Sequence, residues 1–137
     1  MNLQHVLGFL EEIMADQYKR YAVKVTTTGL TTVYTVPVGD TSVIPIVEPV
    51  TALVRSIVIA PLQNTVIDVS IFNATTGQTV FLANALTWTK SNAGLTNFHD
   101  EELLKSPLVM EGGDILKVQS TVANAIDVWT SVLEISN

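Results

Sequence analysis

Two hydrophobic rhythms divide the chain near residue 21. Leu3, Val6, Leu7, Leu10, Met14, Tyr18 and Tyr21 recur at three- and four-residue steps. That spacing predicts an amphipathic helix over residues 3–21 with one apolar stripe. Asn2 suits its N-cap, and Lys19 and Arg20 sit near its C-terminal end, where the helix dipole favours cations. From residue 22 onward Thr, Val and Ile dominate, and Gly, Pro and Asn cut the chain into short runs. Such runs predict antiparallel strands, placed at Ala22–Thr28, Thr31–Val36, Ser42–Val47, Ala52–Ala60, Val66–Asn73, Thr79–Ala83, Leu86–Ser91, Ser106–Met110, Ile115–Val122 and Ala125–Ile135. Thr75-Thr76-Gly77-Gln78 suits a hairpin, and Glu111-Gly112-Gly113-Asp114 offers two glycines for positive φ. Ser91–Leu104 reads as a long loop with one helical turn from Asp100.

The polarity of the strands adds a second layer. Val66–Asn73 alternates, with Ile67, Val69 and Ile71 facing one way and Asp68 and Ser70 the other, as a strand with one wet face does. Ala52–Ala60 is apolar on both faces apart from Arg55 and Ser56. In the last strand Ile126, Val128 and Val132 oppose Trp129, Leu133 and Ile135. These two strands need cover on both sides, from a second sheet and from a helix or a neighbour. The expected fold is mainly β: an antiparallel β-sandwich of jelly-roll type over residues 22–137, preceded by a helical arm over residues 1–21.

Composition sharpens this. The 137 residues suffice for one compact domain, and 47% are hydrophobic against 15% charged. A chain so apolar has more surface to hide than one small core takes up, which favours self-association. A formal charge of −6 with only seven Lys and Arg, scattered along the chain, disfavours nucleic acid and anionic membranes as partners. No run reaches the about 20 apolar residues of a spanning helix. The stretch Leu3–Leu10 has no preceding basic residue and is followed by Glu11, Glu12 and Asp16, so it does not read as a signal peptide. The absence of cysteine excludes disulfides and thiolate metal sites.

Two segments carry a resemblance. Thr32-Val33-Tyr34-Thr35-Val36-Pro37, followed by Leu53-Val54-Arg55-Ser56-Ile57-Val58-Ile59-Ala60 and Val66-Ile67-Asp68-Val69-Ser70-Ile71, is similar to a strand pattern of small tailed-bacteriophage virion proteins. Pro107-Leu108-Val109-Met110-Glu111-Gly112-Gly113-Asp114-Ile115-Leu116-Lys117-Val118, with the closing Val128-Trp129-Thr130-Ser131-Val132-Leu133-Glu134-Ile135, resembles the ending of the same group. Pro61 stands where the group often has Asn, and Ile44–Val50 looks like an insertion. Capsid decoration, neck and tail components all occur in the group. The resemblance therefore implies a virion structural role, assembled in a bacterial host cytoplasm, with the major capsid protein or other virion proteins as partners.

Candidate chemistry is thin. His99, Asp100, Glu101 and Glu102 are consecutive, so their side chains diverge and suit a solvated loop better than a metal site. His5 lies on the predicted helix. Asp68, Asp114 and Asp127 could form a carboxylate pair only if a cleft brought two of them together. Gly112-Gly113 lacks the Lys and Ser/Thr of a phosphate cradle, and no nucleophile elbow is present. Trp88, Trp129, Phe72 and Phe81 lie in predicted strands and default to core, with a carbohydrate platform at Trp88 as the alternative. No catalytic residue, metal or cofactor is expected. The expected function is that of a decoration (cement) protein acting as a homo-oligomer such as a trimer. Leu3, Val6, Leu7, Leu10, Met14, Tyr18 and Tyr21 form its candidate interface.

Overall fold

The computed structural model describes residues 16–89 and 107–136. They form eight strands: β1 (Gln17–Lys24), β2 (Thr31–Thr35), β3 (Val50–Pro61), β4 (Thr65–Asn73), β5 (Gln78–Trp88), β6 (Leu108–Met110), β7 (Ile115–Ser120) and β8 (Ile126–Ser136). Two four-stranded sheets result, ordered β1-β8-β3-β6 and β2-β7-β4-β5, and every pairing is antiparallel. Only β4 and β5 are consecutive strands of one sheet; every other consecutive pair changes sheet. The inward side chains of both sheets form a single core that includes Val54, Ile57, Ile59, Ile67, Val69, Leu116, Val118, Val128 and Val132. This is a β-sandwich.

The expected strands at residues 31–36, 52–60, 66–73 and 125–135 correspond closely to β2, β3, β4 and β8. Three expectations are corrected. Residues 17–21, given to the helix, are the first five residues of β1, so the expected domain boundary at Tyr21 falls inside a strand. Tyr18 and Tyr21 therefore do not share a stripe: three residues apart on a strand they point to opposite faces. Thr79–Ala83 and Leu86–Ser91 were separated by a break, whereas β5 runs unbroken from Gln78 to Trp88. The break is a bulge. Ala85 takes φ 53°, and its freed N–H donates to Asp68 Oδ1 at 2.6 Å. Ser42–Val47 forms no strand; a single bridge joins Asp40 to Val47. The rest of the expected helix, residues 3–15, lies outside the described residues, as do His5 and all of Ser91–Leu104, His99–Glu102 included.

Turns fix the ends of the strands. Asn73 Oδ1 accepts from the N–H groups of Thr75 and Thr76 and so shapes the β4–β5 hairpin. The turn before β7 is held by Asp114, whose carboxylate accepts from Ala74 N at 2.9 Å and from Glu111 N at 2.9 Å. Gly113 there has φ 90°, and a Cβ would lie 3.0 Å from Ala74 Cβ. Both conformation and space thus demand glycine. Gly113→Ala is expected to lower the unfolding free energy by about 1–3 kcal/mol. Ile59→Ala, which empties a fully buried site, should cost about 2–5 kcal/mol. Urea denaturation of both variants checks these values.

Candidate interaction surface

The sheet β1-β8-β3-β6 has two faces of different character. Its inner face carries a buried charge. Glu134 in β8 points inward, where its Oε1 pairs with Lys19 Nζ of β1 at 2.8 Å. Its Oε2 accepts from the Tyr34 hydroxyl of β2, in the other sheet, at 2.7 Å. The Tyr21 ring packs against Tyr34 with centroids 4.8 Å apart. A buried carboxylate is tolerated only when paired and hydrogen-bonded, and here both oxygens are engaged. The network joins β1, β8 and the opposite sheet. Thr130, also buried, donates to the Ser56 carbonyl at 2.8 Å, beside the irregularity between Val54 and Ser56.

Strand register lays out the outer face as rows of side chains. Tyr18, Leu133, Leu53 and Val109 form one apolar row across all four strands. Arg20, Ser131 and Ser56 form a polar row beside it. Ala22, Trp129 and Val58 form a second apolar row, and Lys24, Asp127 and Ala60 follow. Trp129 is 43% exposed and Tyr18 74% exposed. The Arg20 guanidinium lies 5.6 Å from the centre of the Trp129 ring, a cation–π contact. Lys24 pairs with Asp127 at 3.6 Å. Because Ala22 and Ala60 are small beside Trp129, an open groove of about 430 Å³ forms between them and Val58. Lys19, Arg20, Lys24 and Arg55 belong to this sheet; Lys117 is the remaining cation among the described residues.

A second apolar surface projects from one end of this sheet. Residues 36–49 join β2 to β3, a long connection for a compact domain. It closes on itself as a finger. Asp40 and Val47 exchange backbone hydrogen bonds at 2.8 and 2.9 Å, and a Cβ on Gly39 would lie 2.9 Å from Pro49 N. Asp40 Oδ1 accepts from Ser42 Oγ at 2.6 Å and Ser42 N at 2.9 Å, which holds its carboxyl below the usual range. Val43, Ile44, Ile46 and Val47 are all exposed, and Ile44 is 99% exposed.

The other sequence candidates separate. Asp68 secures the β5 bulge, Asp114 a turn and Asp127 an ion pair, so each has a structural partner. Trp88 is 4% exposed, which rules it out as a platform, and its indole N–H has no partner among the described residues. Of the expected interface, Tyr21 faces the core side of β1 and Tyr18 the outer face, while Leu3, Val6, Leu7, Leu10 and Met14 lie outside the described residues. Among the described residues no three His, Cys, Asp or Glu groups gather as a metal site, and no helix is long and apolar enough to cross a membrane. The finger escaped the sequence reading as a surface, although the run Val43–Val47 in a segment resembling an insertion was its signal. No family model, curated protein or solved structure matches this chain.

The inner network makes a pH prediction. Burial, then the hydrogen bond to Glu134, pushes the Tyr34 phenol far above its usual 10.0. Burial raises Tyr21 as well, and the hydrogen bond with Glu134 raises Lys19 above 10.5. All three favour the protonated form in the folded chain. Their contribution is complete below about pH 10 and is lost as pH climbs through the folded-state values. Tyr34→Phe is expected to cost about 1–2 kcal/mol at neutral pH and to flatten the alkaline decline. Urea midpoints for both proteins from about pH 8 to pH 11.5 test this.

Proposed function

We propose that this protein is a structural component of a tailed-bacteriophage virion, a capsid decoration protein that binds the shell as a homo-oligomer. Its work is association, and no reaction is assigned to it. The observation that carries the reading is the strand order β1-β8-β3-β6 against β2-β7-β4-β5. Eight strands wound in this order suit a jelly roll, an architecture used by viral capsid and lectin domains. The strand motifs that resemble phage proteins fall on β2, β3, β4, β6, β7 and β8. The apolar rows on the outer face of β1-β8-β3-β6 support a surface that is covered in an assembly. The apolar positions Leu3, Val6, Leu7, Leu10 and Met14 immediately precede this sheet in the chain and would supply a further contact with a neighbour or with the shell.

Immunogold electron microscopy tests the location, using an antibody against this chain on particles from cells that carry its gene. Label spread over the shell is expected. Label confined to one vertex or the tail would make it a neck or tail component, and unlabelled particles would contradict a virion role.

A second reading, a carbohydrate-binding module, draws on the other sheet. A groove of about 440 Å³ there is lined by Asp68, Asn84, Gln119 and Thr121, whose amide, carboxylate and hydroxyl groups match sugar hydroxyls. A glycan array should show no ligand for the wild-type chain under the decoration reading. A hit lost in Gln119→Ala would favour the carbohydrate reading.

A further inference from the structure

The finger and the groove lie at opposite ends of the same sheet. The finger enters β3 at Val50, which pairs with Ser136, whereas the groove flanks Val58 and Ala60 near the other end of that strand. From Val50 to Ala60 a strand advances about 33 Å. Ile44 is only six residues before Val50, at most about 21 Å of chain, and the Asp40–Val47 bridge shortens that reach. The tip therefore cannot enter the groove of its own chain.

We propose that the Ile44 tip of one copy seats in the Ala22–Val58–Ala60–Trp129 groove of the next, head to tail. The inference rests on the self-association proposed above and names the surfaces that make it. The chemistry is complementary in two respects. An exposed branched aliphatic tip meets an apolar slot walled by an indole and floored by two alanines. Asp40 and Glu48 flank the tip; at the groove Lys24 is already paired with Asp127, which leaves Arg20, over the Trp129 ring, as the cation that meets them. The finger has no Lys or Arg, which disfavours an anionic membrane as its partner. A head-to-tail contact uses different patches on the two copies, so it repeats and closes into a ring when the rotation allows.

Mixing two variants of the full chain tests this by light scattering and sedimentation. Ile44→Asp spoils the tip, and Ala22→Trp fills the groove. Both positions are exposed, so far-ultraviolet circular dichroism and the urea midpoint should stay near wild type. The wild-type chain is expected to form a discrete oligomer, and each variant alone to sediment at the 14.8 kDa of one chain. A mixture keeps one good tip and one good groove between two molecules, so it should give a species of twice that mass and nothing larger. Wild-type oligomers that survive Ile44→Asp overturn the proposal, as does a mixture that stays monomeric. If the full chain carrying Leu7→Asp and Leu10→Asp dissociates while Ile44→Asp does not, residues 3–14 make the contact and the proposal fails. A monomeric wild-type chain also overturns it, while the virion role is decided separately by the labelling of particles.

Discussion

Glu134 decides which way the central strand faces. Either side of β8 would serve as a core surface by hydrophobicity alone, with Ile126, Val128 and Val132 on one and Trp129, Leu133 and Ile135 on the other. A one-residue slip would exchange them. The carboxylate settles the matter because its partners are inside: Lys19 on the neighbouring strand and Tyr34 on the opposite sheet. With Glu134 inward and paired, Trp129, Leu133 and Ile135 are committed to the outer face. This polar link between the two sheets thus also commits the apolar rows to the outside.

Much of the sandwich was legible because its strands carry their own signals. The both-sided apolar character of residues 52–60 and 125–135 already implied a second cover, and β3 and β8 are the two central strands of their sheet. The first strand was not legible. In Gln17–Lys24 the inward positions are Lys19, Tyr21 and Val23, so a lysine stands where alternation calls for an apolar residue. Its pairing with a glutamate more than a hundred residues away is invisible in a local window, and the spacing of Tyr18 and Tyr21 fitted a helical period instead. The split in β5 has a similar origin. Its cause is the Asp68–Ala85 hydrogen bond, which lets the strand bulge and continue. Ser42–Val47 has the composition of a strand but no neighbour to pair with beyond one bridge.

The candidate surface was half legible for the same reason. The need for a cover over the last strand could be read from its alternation. Its layout in rows could not, because Ala22, Trp129 and Val58 become neighbours only through the register of three strands distant in sequence. The groove is a consequence of small residues on β1 and β3 beside a tryptophan on β8. The finger adds apolar surface at the far end, built on a closed loop with a tight Gly39–Pro49 contact at its base. The inward side chains of both sheets are sealed in one core, and two apolar surfaces are left outside it.

The proposed association would cover the outer face around Trp129. Acrylamide quenching of tryptophan fluorescence over a wide range of protein concentration reports this directly, since Trp88 is buried and Trp129 is the accessible indole among the two. A Trp129→Phe variant fixes the contribution of Trp88. Under this proposal the Trp129 component is quenched readily in dilute solution and becomes protected as the protein is concentrated. Quenching of Trp129 that is the same at every concentration, in a sample shown to be oligomeric, would contradict it.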